Sequence, residues 1–315
     1  MADPPDVAQQ TAPDPQGVES ERWQRRTAVA VGAYVRLTKP RVIELLLVTT
    51  VPAMILAAGE LPSIRLIVEV LIGGTLAAGG ANTLNCWIER DRDQLMRRTR
   101  GRPLPTGQVP PTRALVFGLL LEAVAFALLW ATVNLLSAVL AVSAMLFYVF
   151  VYTIWLKPRS PQNIVVGGAA GAVPVLVGWA AVTGRVGAPA WVLFAIVFCW
   201  TPPHFWALSL RYFDDYRTAG FPMLPVARGV AVAVRQIVAY SVLVVGVTLV
   251  LLGVADVGVL YLVAAIVLGA MFVWRTVQLA RDATPERAIK VFAFSNTYLA
   301  LLFSAIAVDT LVRSH

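Results

Sequence analysis

Residues 64–103 read IRLIVEVLIGGTLAAGGANTLNCWIERDRDQLMRRTRGRP. The first part of this stretch is a run of mostly apolar and small residues, long enough to cross the hydrocarbon core of a bilayer, which takes about 20 residues. Asn85, Glu89 and Asp93 then follow one another at intervals of four residues, directly before a basic segment. The stretch therefore predicts a membrane-spanning helix that carries polar and acidic groups at the membrane border.

The composition of the whole chain extends this prediction. Of its 315 residues, 58% are hydrophobic and 14% charged, and the mean hydropathy is +0.72. So few charged residues cannot cover an ordinary soluble domain, whereas a helical bundle satisfies its own backbone polar groups inside lipid. We expect an all-α membrane protein of about nine transmembrane helices, near residues 42–59, 64–88, 114–133, 134–156, 163–183, 189–209, 236–255, 257–274 and 290–311.

The distribution of positive charge predicts the topology. Of the 26 Lys and Arg residues, 23 fall before the first span or in alternate loops, and only Arg65, Arg185 and Arg313 fall on the other side. Because positive residues accumulate in cytoplasmic loops, we expect a cytoplasmic N-terminus, an outside C-terminus and a polar motif that faces the cytoplasm. The net charge of +8 then mainly reflects topology in the lipid bilayer, and no nucleic acid partner is expected.

The spans leave no room for a soluble domain. Residues 1–26 include a stretch rich in Pro, Asp, Gln and Ala without an apolar core segment, a composition typical of disorder. We expect a disordered cytoplasmic tail there and a single transmembrane domain over 27–315.

The motif of Asn85, Glu89 and Asp93 has two interpretations. On a helix, residues four apart lie on one slowly turning stripe, so two carboxylates and an amide oxygen can converge on one cation. Mg²⁺ prefers such oxygen ligands and commonly bridges a carboxylate to phosphate oxygens. The alternative is a solvated helix end, with Glu89 paired to an arginine such as Arg90.

A second polar segment lies between residues 200 and 235 and contains His204, Asp214 and Asp215. A helix that begins at Phe205 would place His204 and Asp215 on nearly the same face, three turns apart. His204 could ligate haem iron, transfer protons or donate a hydrogen bond that closes a Pro-interrupted helix. The two aspartates could face the first acidic set or form a helix cap.

Basic residues flank both polar segments. Lys39 and Arg41 precede the first span, Lys157 follows the fourth, and Arg98 and Arg102 follow the polar motif of the second. Together they could neutralise a leaving diphosphate. The alternative is that they set topology or contact lipid headgroups.

Several of these stretches resemble the haem-farnesylating branch of the UbiA-like intramembrane prenyltransferases, over about residues 34–304. The resemblance implies a bundle with a central cavity in the bacterial inner membrane, where Mg²⁺ and two polar motifs hold farnesyl diphosphate. It implies catalytic and metal-binding roles for the first polar motif and for Asp215. The matching segments are Leu37-Thr38-Lys39-Pro40-Arg41, Asn85 to Pro103, Asn163-x3-Gly167-Gly168 with Gly178-Trp179, and Pro203-His204-Phe205 through Asp215-Tyr216 to Leu224-Pro225.

The activity implied by the resemblance is transfer of farnesyl to a vinyl group of protohaem IX, with addition of water, to give haem O. Haem A synthase and terminal oxidase assembly are the implied partners. Glu89 stands where the family usually has an aspartate, and the second motif lacks the spaced aspartates of quinone-type relatives, so either Asp214 or Asp215 could contact the metal. A prenyltransferase of an aromatic quinone precursor is the alternative. A transporter is disfavoured because the acids cluster at one membrane face.

Overall fold

The computed structural model describes residues 28–314, apart from the side chains of residues 41, 42 and 45–47. The predicted tail over 1–26 lies outside the described residues. All regular structure in the described part is helical, which confirms the predicted fold class. The helices in chain order are α1 (Ala28–Leu37), α2 (Pro40–Ala58), α3 (Ile64–Asp93), α4 (Pro111–Thr132), α5 (Leu135–Leu156), α6 (Asn163–Thr183), α7 (Ala188–Arg211), α8 (Phe213–Thr218), α9 (Leu224–Arg228), α10 (Val230–Val254), α11 (Val259–Arg281) and α12 (Pro285–Arg313).

Eight of these helices, α3 to α7 and α10 to α12, are long and apolar enough to cross a membrane. They coincide with eight of the nine predicted spans. The remaining span, predicted at 42–59, falls on α2, whose side chains are described only in part. A total of nine spans and the orientation of the termini remain predictions.

The helices form an inner set and two flanks. Helices α2, α6, α7 and α12 contact one another in a closed ring, with α3, α4 and α5 on one flank and α10 and α11 on the other. Large apolar side chains such as Leu193, Ile196 and Phe303 are fully buried. Helix α7, in the inner set, is the most buried of the eight candidate spans.

Several helices extend beyond the predicted apolar runs. Helix α3 continues to Asp93, α11 continues to Arg281, and α12 begins at Pro285. The apolar run in the sequence ends at the first charged residues, but the helix continues beyond it. Charged side chains are tolerated on these additional turns because they can reach toward the membrane surface. All three polar residues of the α3 motif therefore lie on regular helix.

The second half of α5 is unusual, because residues 147–156 form a π-helix. The wider turns are visible at its end, where the Lys157 N–H donates to the Tyr152 carbonyl, five residues back, over 2.8 Å. Helix α6 packs against this segment through Gly167, where an added Cβ would lie 2.2 Å from Tyr152 Cδ2. Gly167 is therefore required for this close approach.

We expect Gly167→Ala to lower the free energy of unfolding by about 1–3 kcal/mol, because the added methyl overlaps the Tyr152 ring. Gly171→Ala is the matched control, since it lies one turn along α6 and an added Cβ has nothing within 4 Å. Thermal unfolding of both variants in detergent measures the difference. Equal midpoints would contradict the packing described here.

Candidate active site

The polar motif of α3 is buried at one end of the bundle. Asn85, Glu89 and Asp93 are 1%, 5% and 0% exposed. Their partners come from three separate segments: the turn between α1 and α2, the end of α5, and the loop over residues 94–110. These side chains do not form a solvated helix end, and the pairing of Glu89 with Arg90 is not observed.

Asn85 lies between a lysine and a threonine. Lys39 Nζ donates to Asn85 Oδ1 over 2.7 Å, and Asn85 Nδ2 donates to Thr153 Oγ1 over 3.1 Å. Lys39 has a φ of 53° and is the one non-glycine residue of the described part with a positive φ. Such a conformation costs about 1–3 kcal/mol and persists only where the surroundings enforce it. Burial also lowers the pKa of the Lys39 ammonium.

Glu89 is paired with Lys157, the residue that follows the π-helical segment. Lys157 Nζ contacts Glu89 Oε1, and both side chains are largely withdrawn from solvent. Burial lowers the pKa of Lys157, but Glu89, Tyr152 and Tyr216 together outweigh burial and raise this pKa to about 12. The pair is therefore an ammonium and a carboxylate, each neutralising the other.

Asp93 is held by the loop that follows α3. Arg102 Nη1 donates to Asp93 Oδ2 over 2.7 Å, and Thr99 Oγ1 donates to the Asp93 backbone carbonyl over 2.9 Å. The other carboxylate oxygen, Asp93 Oδ1, is buried without a hydrogen-bond partner. Because buried polar atoms are nearly always satisfied, this oxygen is a candidate ligand atom.

The two aspartates of the second polar segment, Asp214 and Asp215, lie in different environments. The Arg98 backbone N–H donates to Asp215 Oδ2 over 3.2 Å, which joins loop 94–110 to α8. The Arg98 guanidinium lies over the Tyr212 ring, 5.5 Å from its centre. The Asp214 side chain is 79% exposed and pairs with Arg217 over 2.9 Å. Asp215 thus faces the loop of the first motif, whereas Asp214 lies at the surface.

The predicted helix linking His204 to Asp215 is wrong. Helix α7 runs through both prolines as far as Arg211, and Tyr212, with φ −111° and ψ 34°, breaks it before α8 begins. His204 contacts α12, whereas Asp215 contacts loop 94–110. The break rotates the chain, so helical spacing no longer relates the two side chains.

His204 is buried between two aromatic rings. Its ring centre lies 4.2 Å from that of Trp200 and 4.4 Å from that of Phe292. His204 Nδ1 lies 2.7 Å from Ser295 Oγ, which itself donates to the Phe292 carbonyl over 2.7 Å. Since the serine proton is used there, Ser295 accepts the proton of His204 Nδ1, and Nε2 retains its lone pair.

A cavity of about 520 Å³ opens beside the α3 motif. Glu89 and Thr153 line it together with Phe221, whose ring centre lies 4.8 Å from Lys157 Nζ and 4.9 Å from the Arg92 guanidinium carbon. Sequence reasoning missed Thr153 and Phe221 as site residues. No sequence pattern distinguishes Thr153 from the other residues of its apolar run. The aromatic, proline-rich segment around Phe221 indicates an unusual loop but does not identify Phe221 as a site residue.

The ligand set suits a hard cation bound together with phosphate. Within residues 28–314, no three His, Cys, Asp or Glu side chains are close enough to hold a metal ion by themselves. The α3 motif offers one amide and two carboxylate groups, so a cation bound there would need further ligands from water or phosphate oxygens, as is usual for Mg²⁺. The side chain of Arg41, another predicted phosphate ligand, lies outside the described part.

Comparison with known proteins identifies the class. The profile of the UbiA prenyltransferase family matches residues 46–298. The fold is similar to that of a digeranylgeranylglyceryl phosphate synthase, with a TM-score of 0.73 and 18% identity over 90% of this chain and 99% of that one. It is also similar to an Archaeoglobus fulgidus UbiA homologue bound to GPP and Mg²⁺, with a TM-score of 0.60 and 16% identity over 87% and 99%. The chain belongs to the UbiA prenyltransferase family.

Within this family, the chain is similar over nearly its whole length to proteins named protoheme IX farnesyltransferase. The protein of Parafrankia sp. strain EAN1pec is 52% identical over 311 residues, which cover 98% of this chain and 99% of the relative. That of Frankia alni is 53% identical over 285 residues, or 90% and 99% of the two chains. The predicted family resemblance is confirmed.

We expect Lys157→Met to lower the free energy of unfolding by about 3–5 kcal/mol, because it leaves the buried Glu89 carboxylate without its ion-pair partner. Combining it with Glu89→Gln restores much of the loss. Arg217→Met, which breaks the exposed pair with Asp214, is the control and costs less than about 1 kcal/mol. Chemical unfolding in detergent compares the three; similar losses for Lys157→Met and Arg217→Met would contradict the assignment of a buried pair.

Proposed function

We propose that this chain transfers the farnesyl group of farnesyl diphosphate to a vinyl group of protohaem IX. Water is added in the same reaction, and the products are haem O and diphosphate. The observation that carries the proposal is the similarity, over nearly the full length of both chains, to proteins named protoheme IX farnesyltransferase. The buried site adds chemical support, because it gathers acidic, amide and basic groups at one end of an apolar bundle.

The basic residues would stabilise the leaving group. When the bond between the farnesyl carbon and the diphosphate oxygen breaks, negative charge develops on the diphosphate. Cationic side chains that are already fixed near this oxygen lower the barrier because little reorganisation is needed. Lys39, Lys157 and Arg102 are the candidates, since each already lies against the α3 motif.

Asn85, Glu89 and Asp93 would hold Mg²⁺. Asp215 would act from α8, on the other side of loop 94–110, because it does not lie close enough to both carboxylates to share one ion with them. The unpartnered Asp93 Oδ1 supports this assignment, as does the Mg²⁺ bound with GPP in the A. fulgidus homologue. The metal would supply positive charge to the diphosphate oxygens. Asp214 is left out of the proposed ligand set because its side chain is exposed and paired with Arg217.

The apolar surroundings would protect the farnesyl electrophile from premature reaction with water. The lining of the cavity beside Glu89 includes the apolar side chains of Ile88, Ile154 and Phe221. The vinyl group of the haem would then attack the farnesyl carbon as the diphosphate leaves, and water would add to the resulting cation and release one proton to form the hydroxyl group of the product. We assign no residue as the base that activates this water.

We place the protein in the bacterial inner membrane with the site facing the cytoplasm. The orientation is supported by the distribution of positive residues, of which 23 of 26 lie on the side of the polar loops. The product haem O would pass to haem A synthase or to the assembly of a terminal oxidase.

The proposed reaction is tested by mass spectrometry of the product. Membranes containing the protein, farnesyl diphosphate and haem B are expected to yield haem O, whereas 4-hydroxybenzoate is expected to remain unprenylated. Prenylated benzoate without haem O would instead identify a quinone-type prenyltransferase.

We expect Glu89→Gln and Asp93→Asn each to reduce haem O formation by at least about 10²-fold, because both remove charge that holds the metal. Asp214→Asn is the matched control, since it makes the same change at the surface and is expected to retain activity. Amounts of folded protein are compared by gel filtration in detergent. Wild-type rates in the two site variants would refute the assignment of α3 as the metal-binding helix.

His204 is proposed to contact the haem through Nε2, the nitrogen with a lone pair. We expect His204→Ala to weaken haem binding and change the Soret band of the complex, while Ser295→Ala keeps Nε2 and has a smaller effect. Absorption titration with haem B measures both. An unchanged Soret band and affinity in His204→Ala would show that the residue only joins α7 to α12.

A further inference from the structure

Arg275 is a positively charged residue within α11, one of the eight helices long and apolar enough to cross a membrane. It lies within two turns of the end of that helix at Arg281. Its Nε is buried without a hydrogen-bond partner, and none of the ion pairs among the described residues includes it. Ionisable residues inside membrane spans are rare and usually paired, so this guanidinium is a candidate ligand-binding group.

The guanidinium is held against the neighbouring helix, where a second positive residue is close. Its central carbon lies 4.6 Å from the centre of the Phe294 ring on α12. Lys290 is exposed and lies one turn before Phe294, so the two share one side of α12. Glu286 lies a further turn back, but no ion pair between it and Lys290 is found among the described residues. Two unpaired cations thus flank one aromatic ring where α11 meets α12.

An exposed tryptophan indicates the depth of this place in the membrane. Trp274, the residue before Arg275, is 58% exposed. Tryptophan accumulates at the level of the lipid headgroups, because its ring is apolar and its N–H is polar. The exposed ion pair of Arg287 with Asp282 lies beyond it, at the end of the same pair of helices. Arg275 and Lys290 therefore lie at the level where lipid phosphate groups are found.

Toward the middle of the membrane, both helices present apolar side chains to their surroundings. On α11, Val267 and Met271 are exposed and share a side with Arg275, since residues four apart lie on one face of a helix. On α12, Leu301 is exposed and lies two turns beyond Phe294. An acyl chain along this face covers these side chains while its headgroup lies beside Arg275.

We propose that this face of α11 and α12 binds an anionic phospholipid, with its phosphate between Arg275 and Lys290. Two cations suit a lipid with a net negative charge better than a zwitterionic lipid, whose own ammonium group compensates its phosphate. The planar guanidinium can donate two parallel hydrogen bonds to phosphate oxygens, and Phe294 holds it in place. The site lies on the flank opposite α3, α4 and α5, so it does not depend on the proposed reaction.

The test counts lipids bound to the full-length protein by native mass spectrometry, during titration with phosphatidylglycerol or phosphatidylcholine. We expect one phosphatidylglycerol to bind the wild type at least about fivefold more tightly than Arg275→Gln, the size of effect typical of one basic residue near a membrane surface. Arg281→Gln removes the same charge from the exposed end of α11 and is the matched control. It is expected to bind like the wild type, and phosphatidylcholine is expected to bind all three equally.

A second variant and a headgroup analogue complete the test. Arg275→Lys keeps the charge without the planar fork, so it is expected to retain part of the affinity. Thermal unfolding in phosphatidylcholine shows whether each variant is folded. Glycerol phosphate, which has no acyl chains, is expected not to displace the lipid.

Four outcomes would overturn the proposal. Equal affinity for phosphatidylglycerol in the wild type and Arg275→Gln would show that the guanidinium does not bind the headgroup. Equal losses in Arg275→Gln and Arg281→Gln would show only a general attraction to positive charge. Displacement of the lipid by glycerol phosphate would identify a site for a soluble phosphate, and a dimer mass in place of the lipid-bound monomer would assign the face to a second copy of the chain.

Discussion

The structure depends on compensating two carboxylates that are buried at the end of a membrane helix. An uncompensated charge in such a place costs several kcal/mol, so Glu89 and Asp93 require cations brought to them by other parts of the chain. Lys157 comes from the end of α5 and Arg102 from the loop after α3. The need to compensate these two carboxylates therefore places the end of α5 and loop 94–110 in contact with α3.

The same requirement connects structure to chemistry. Charged groups held in fixed positions, and largely shielded from water, act on a developing charge without first having to reorganise. The inner helices α2, α6, α7 and α12 provide the apolar environment, while the polar contacts are confined to one end of α3 and its neighbours. One chain thus combines a charged cluster with apolar surroundings, which is the combination that the proposed reaction of a prenyl diphosphate with a porphyrin requires.

The sequence predicted the parts that depend on local spacing and composition. Apolar runs located the helices, and the four-residue interval placed Asn85, Glu89 and Asp93 on one face. It could not predict that Thr153 joins Asn85, because that contact depends on the π-helical geometry of α5. The expected relation between His204 and Asp215 was wrong because the backbone at Tyr212 leaves the helical region. Sequence periodicity relates the directions of side chains within one continuous helix, but it does not relate side chains on opposite sides of a break in the helix.

The π-helical half of α5 has a consequence for exchanging parts between relatives. A π-turn holds more residues than an α-turn, so each residue in this segment changes the angular register of everything that follows it. Thr153 and Lys157 face α3 only in the register that the structure has. A transplanted α5 that winds as an ordinary α-helix would keep the lysine in the sequence and turn it toward another neighbour. The unit that can be exchanged is therefore α5 together with Gly167 of α6, whose missing side chain leaves room for the wider turns.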